Sequence, residues 1–442
     1  MTRNDATGLT TRIGSGAGFS GDRIDPAVDL VERGGLDDLV LECLAERTIA
    51  LGQLRRAADP ATGYDPLTVQ RMRALLPGAL RTRTRLISNM GAANPRAAGE
   101  VIAGVARELG VRCRIAIVEG DDVLAGLDLD ALSIEDDKPL QSYGEIVSAN
   151  AYLGADAILP ALTAGADVVV TGRVADPSLF LAALADRLGW DLDDPQLAAA
   201  GTLVGHLLEC GAQITGGYFA DPGVKDVPRL ADLGFPYADV ASDGAATIGK
   251  LEGTGGFVNR ATVREQLLYE ITDPAAYLTP DVSLGLLGVH VEDHGHDRVS
   301  IGGATGSRRP DRLKTSVGYR AGFRAEAEIS YFGPGAVARA RLAGEVVRDR
   351  LRERGNALRV DLIGSLDQSG MDPQVAECRL RVAGLSDDNE GARLICHEVE
   401  SLYTNGPAGG GGARTTVSEV IGIVSTLVDR ATAIPTTTIL EV

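Results

Sequence analysis

Through the first half of the chain, short β-branched runs alternate with amphipathic helical stretches, and the runs end in glycine or polar residues. Few architectures accept that pattern: strand and helix in strict succession build βαβ units, whose crossovers give a largely parallel sheet with helices on its faces. Candidate strands are Leu9–Ile13, Leu39–Cys43, Arg85–Asn89, Arg114–Val118 and Val168–Thr171. Between them lie helical stretches such as Pro26–Arg33, Pro66–Leu76 and Pro95–Leu109, each opened by a proline at a first-turn position. From about Asp281 the pattern changes to longer extended runs, Leu284–Val291, Lys314–Gly318, Glu326–Phe332, Arg359–Ile363 and Cys378–Val382, separated by helices over Ala336–Arg354 and Asn389–Tyr403. The expected organisation is a Rossmann-like α/β domain over residues 1–280, followed by a smaller α+β domain of split βαβ type over residues 281–442.

A chain of 442 residues suits two domains rather than one core. With 61 acidic against 43 basic residues it carries a formal charge of −18, which argues against nucleic acid or an anionic membrane as partner. Five cysteines form no CxxC pair, so neither a disulfide framework nor a structural zinc site is expected, and no metal site is assigned. The amino terminus lacks an apolar core of signal-peptide length and no run of about 18 apolar residues occurs, so a cytoplasmic protein is expected. Glycine, at 55 residues, clusters in turns between apolar runs. In open α/β sheets ligands lie beyond the carboxyl ends of strands, which directs attention to those turns.

Four stretches carry the chemistry. In Arg12–Arg23 (RIGSGAGFSGDR) a strand, a glycine turn and a helix follow one another, an arrangement that offers backbone N–H groups to a phosphate or carboxylate. Thr171–Pro177 (TGRVADP) sets Arg173 and Asp176 at the sheet edge; Asp176 reads equally well as a helix cap paired with Arg173. Gly205–Tyr218 (GHLLECGAQITGGY) places His206, Glu209 and Cys210 at i, i+3 and i+4, one face of a helix closed by Gly211. Imidazole, carboxyl and thiol together suit acid–base or nucleophilic work. Lys250–Gly256 adds a lysine beside glycines, whereas Glu292–Arg298 reads as a polar hairpin loop and Gly406–Arg414 as a lid or flexible connection.

These motifs, with LISNMGAANP (Leu86–Pro95) and TGGFVNRATVREQLLYEITDPAAYLTPDV (Thr254–Val282), resemble the acyclic terpene utilisation AtuA-type family over roughly Arg12–Val282. The resemblance implies catabolism of branched acyclic terpenoids and related acids handled as coenzyme A thioesters. Longer family members look as if they carry a further small C-terminal domain, and the resemblance implies that its function is either absent here or supplied by a separate small partner polypeptide.

The expected function is an enzyme acting on an acyl-CoA or related acyl acid, a lyase of hydratase/dehydratase or retro-aldol type. His206 is expected as base, Glu209 as acid or orienting partner, Cys210 as a pocket residue or acyl acceptor, and Asp176 completes the catalytic set. Expected substrate-binding residues are Gly14, Ser15, Gly16, Gly18, Asp22, Arg23, Asn89, Arg173, Gly216, Gly217, Tyr218 and Lys250. No cofactor is required, although CoA can be part of the substrate. The partner is a small acyl molecule, and a homo-oligomer is left open. Two alternatives stand beside this reading: a non-catalytic acyl-CoA-binding subunit, and an acyl or CoA transferase using Cys210 or Glu209 covalently.

Overall fold

The computed structural model describes residues 3–5, 8–352, 358–364 and 377–442. The chain forms two compact units, one of Met1–Leu140, Val147–Gly318 and Ile423–Val442, the other of Gln141–Ile146 and Tyr319–Gly422. The expected boundary after residue 280 therefore falls inside the first unit. The reason lies in strand pairing, since Ser283–Gly285 pairs back across that boundary with Tyr277–Leu278, and His290–Asp293 and Val299–Gly302 join the first sheet.

The first unit is mixed α/β. Its sheet is centred on five parallel strands, β1 (Gly8–Ala17), β2 (Asp38–Leu41), β3 (Arg85–Ser88), β4 (Arg114–Glu119) and β5 (Val168–Thr171), in the order β1-β2-β3-β5-β4. All four residues of β2 and of β5 are buried, and apart from Asp38 and Thr171 they are apolar, as strands covered on both faces require. Antiparallel strands extend both sides. β6 (Pro236–Ala241) pairs with β1, and β7 (Ala246–Lys250) follows it. The hairpin β8 (His290–Asp293) and β9 (Val299–Gly302) comes next, and the C-terminal strand Thr436–Glu441 pairs with β4. The sheet is thus mixed, because antiparallel strands from the second half of the chain extend both sides of its parallel centre.

Helices α1 (Asp25–Arg33), α2 (Glu46–Ala58), α3 (Thr68–Thr82), α4 (Pro95–Leu109), α5 (Ala155–Thr163), α6 (Asp176–Leu188), α7 (Pro195–Leu208) and α8 (Arg260–Leu268) complete the first unit. Leu30 and Val31 of α1, Met72 and Leu75 of α3 and Ile102 of α4 close one core over Leu39, Leu86 and Ile115 of the strands. Helix α7 lies tight against the start of α6: a Cβ on Gly205 would sit 2.7 Å from the Pro177 Cα. That close approach brings the end of α7 beside Asp176. Among the described residues no helix is long and apolar enough to cross a membrane.

The second unit contains most of the long strands β10 (Arg312–Phe332) and β13 (Gly410–Asp429), with β11 (Leu358–Ile363), β12 (Glu377–Ser386), α9 (Ala336–Leu351) and α10 (Asn389–Glu400). The strand order is β11-β12-β10-β13. Ile329, Tyr331, Leu380 and Val382 of the sheet bury Ala340, Val347, Ile395 and Val399 of the helices. The two runs expected at Lys314–Gly318 and Glu326–Phe332 belong to the single strand β10, and the Gly406–Arg414 stretch enters β13 at Gly410.

One buried carboxylate joins three elements of the first unit. Asp38, at the start of β2, accepts from Arg85 Nε of β3 at 2.5 Å and from Arg187 Nε of α6 at 2.9 Å. Removing one partner of a buried pair leaves the other charges without compensation. Asp38→Ala should lower the unfolding free energy by about 3–5 kcal/mol in a urea titration; a loss within experimental error of zero would contradict the assignment.

Candidate active site

A cleft of about 700 Å³ opens beyond the carboxyl ends of β1 and β2 and against the end of α7. Its lining is dominated by carboxyl groups and aromatic rings: Glu42, Glu46, Asp176, Glu209 and Glu270 face it with Phe19, Tyr152, Tyr218, Tyr269 and Tyr277. Gly18 closes one side. A Cβ there would lie 2.3 Å from the Cys210 carbonyl carbon, so the end of β1 touches the chain leaving α7 only because residue 18 has no side chain. Two bulky lining residues, Tyr218 (φ 58°) and Glu270 (φ 59°), hold left-handed backbone conformations that cost about 1 kcal/mol or more without glycine, a feature concentrated at ligand-binding sites.

Helix α7 ends at Leu208, and Glu209 follows as its cap residue. Glu209 Oε1 is 3.0 Å from His206 Nδ1, while His206 Nε2 lies 3.2 Å from the Leu267 carbonyl. The carbonyl can only accept, so Nε2 carries a proton and Nδ1 faces the carboxyl. The second carboxyl oxygen, Oε2, is buried without a hydrogen-bond partner among the described residues. Burial raises the Glu209 carboxyl to about 7 despite His206, and the charges of Asp176 and Glu270 push the same way. For His206, burial works against the charged form, but Glu209 outweighs it and the imidazole is raised.

On the opposite flank, Arg173 is fully buried. Its guanidinium donates to the Leu44 carbonyl at 2.5 Å and the Val174 carbonyl at 2.8 Å, forms an ion pair with Asp176, and stacks 4.4 Å above the Tyr152 ring. Burial raises the Asp176 carboxyl although Arg173 opposes it. Burial raises Glu42 strongly, with Asp176 adding to it; Glu42 Oε1 accepts from Leu44 N at 2.7 Å and Asn89 Nδ2 at 2.9 Å. Glu46 is the exception. Burial pushes it up, but the Tyr152 hydroxyl at 2.6 Å, its own N–H, Lys314 and Arg173 together hold it at about 2.

Several expected ligands are engaged elsewhere. Gly14, Ser15 and Gly16 lie within β1, with Leu36 and Leu39 packed on the glycines, so they present no anion-binding turn. Gly18 N donates to the Asp22 carboxylate at 2.8 Å, Gly216 N to the Gln213 carbonyl and Gly217 N to the Ala212 carbonyl. Arg23 bonds the Ala231 carbonyl, and Lys250 Nζ bonds Thr254 and lies 3.2 Å from Asp297, both away from the cleft. Asn89 sits behind Glu42 and Arg173 behind Asp176, as supports. Gly18, Asp22, Gly217 and Tyr218 do line the cleft.

The catalytic set divides as well. Asp176, Glu209 and Cys210 line the cleft, whereas His206 is buried behind Glu209 with both ring nitrogens engaged. The cap of α6 is Ala175, and Asp176 opens the helix without capping it. Burial and the Glu209 charge raise the Cys210 thiol, which keeps it protonated and poorly nucleophilic. Glu42, Glu46, Tyr152, Tyr277 and Lys314 were not anticipated. The turn after β2 lacks the glycine that marked the others, although two carboxyls so close to a strand end were a readable signal.

Because the folded Glu209 carboxyl holds its proton to higher pH than an unfolded glutamate, its ionisation subtracts stability as pH rises through about 7. An infrared difference titration of the protein against its Glu209→Gln variant should show a protonated-carboxyl band that fades with a midpoint near 7; a midpoint near 4 would contradict the site's electrostatics.

A family model described as acyclic terpene utilisation family protein AtuA matches residues 11–439. The resemblance read over Arg12–Val282 thus extends through the second unit. No curated protein and no solved structure matched the chain. With nearly its whole length matched, the chain belongs to the acyclic terpene utilisation (AtuA) family, and that membership implies a role in acyclic terpene utilisation.

Proposed function

We propose that the chain is an enzyme of branched acid metabolism, acting on an acyl-CoA or related acyl acid as a lyase of hydratase/dehydratase type. The observation that carries this reading is the Glu209 carboxyl: one oxygen is held by His206, the other is buried, unpartnered and set in the wall of a cleft it shares with Asp176. A carboxyl near 7 exchanges a proton readily at neutral pH, and efficient general acid–base groups lie close to the working pH.

In the dehydration direction, an ionised Asp176 takes the proton next to the substrate carbonyl, the carbon–carbon double bond forms, and the β-hydroxyl leaves as water with the proton of Glu209. Hydration reverses each transfer. Two carboxyls in different surroundings thus take different roles, the pattern expected where one fold runs acid and base chemistry together. His206 keeps Glu209 in place and answers its change of charge. The surplus of negative groups around the cleft favours the uncharged acyl end over phosphates, which Lys314 alone among the cleft's lining residues would meet with a positive charge.

The test is turnover of a panel of branched 3-hydroxyacyl- and 2-enoyl-CoAs. Glu209→Gln should lose about 10²–10⁴-fold in kcat with the fold intact, while Cys210→Ala keeps most activity and no thioester adduct appears in the intact mass. A covalent adduct would replace the lyase with the transferase, and tight binding without turnover would replace it with the binding subunit.

A further inference from the structure

The acid–base pair leaves the Tyr277 hydroxyl of the cleft unused. Tyr277 lies in the short strand Tyr277–Leu278, paired antiparallel with Ser283–Leu284, and its ring packs 5.6 Å from the His206 ring at a 54° tilt. The hydroxyl lies within electrostatic reach of Glu209, Asp176, Glu270 and Tyr152, which places it among the carboxyls of the cleft. No described residue forms a hydrogen bond with it.

Several other donors around the cleft are engaged. The Tyr152 hydroxyl is on Glu46, the Asn89 amide on Glu42, the Gly18 N–H on Asp22, and the Gly217 N–H on the Ala212 carbonyl. Lys314 Nζ is 3.3 Å from Glu46. Burial and the neighbouring carboxylates keep the Tyr277 phenol protonated far into the alkaline range, so it remains a donor at any working pH.

We infer that Tyr277 is a catalytic residue whose hydroxyl donates a hydrogen bond to the substrate carbonyl oxygen, beside the Glu209 carboxyl. This rests on the acid–base reading of the same cleft. Loss of the α-proton moves an electron pair towards that oxygen; the phenol keeps its own proton and stabilises the developing charge, as fixed donors do in oxyanion holes. The contact with His206 is made by the ring, which Tyr277→Phe retains.

The experiment uses the full chain and 3-methylcrotonyl-CoA labelled with ¹³C at the thioester carbonyl. Isotope-edited infrared spectra are recorded at saturation and hydration is measured in parallel. The wild type should lower the bound carbonyl stretch. Tyr277→Phe should return it towards the solution value, with an affinity changed only a few-fold and a kcat lower by about 10²–10³-fold. An identical band in both proteins, or no bound band at all, overturns the inference. A lowered band that Tyr277→Phe abolishes, without hydration by the wild type, upholds the donor and overturns the lyase reading. Hydration that Glu209→Gln abolishes and Tyr277→Phe leaves untouched does the reverse.

Discussion

A guanidinium buried just beyond the end of β5 organises the cleft. Arg173 lies two residues beyond the last residue of β5, and a charge taken out of water must be matched by charge and hydrogen bonds or the fold loses several kcal/mol. Its partners come from three places: Asp176 at the start of α6, the Leu44 carbonyl beyond β2, and the face of Tyr152. Satisfying this one side chain therefore fixes the relative positions of two strand ends and the first turn of a helix. The same field draws Glu46 down, and it opposes the burial that raises Asp176 and Glu42.

The carboxyls around the cleft consequently differ in state although they share a space. Glu46, tied to Tyr152 and Lys314, is held at about 2, whereas Glu209, raised by burial and then by the charges of Asp176 and Glu270 against the pull of His206, reaches about 7. Such a spread is hard to reconcile with a merely solvated acidic surface, where each carboxyl would titrate close to its ordinary value. It needs α7 pressed against α6, and that packing depends on Gly205 over Pro177. A chain of small steps thus runs from a glycine in a helix to the protonation of a side chain four residues later.

Much of the parallel core was legible because β-branched runs and proline-opened helices alternate locally; Val168–Thr171 and Pro95–Leu109 have the same bounds in sequence and structure. The mixed edges were not, since β6 and the C-terminal strand join the sheet by pairing over long separations that no local period records. The site was read halfway. Spacing of three and four residues put His206, Glu209 and Cys210 on one helical face, but α7 stops at Leu208, and the turn that follows sends Glu209 into the cleft while His206 stays behind it. Tyr152, Tyr277 and Lys314 stand alone in their own segments, where only tertiary structure reveals their common destination. Glycine clusters were a fair guide to turns and a poor one to anion sites, because strand pairing and side-chain packing had already engaged Gly14 and Gly16.

The central claim is that Glu209 faces the reacting part of an acyl substrate, and a crystal structure of the Glu209→Gln protein with a branched 3-hydroxyacyl-CoA tests it directly. The acyl group should lie in the cleft between Asp176 and Tyr277, with the β-oxygen about 2.6–3.2 Å from the side chain at position 209. Acyl density elsewhere, for example in the smaller pocket beside His290 and Asp243, or with the thioester against Cys210, would contradict it.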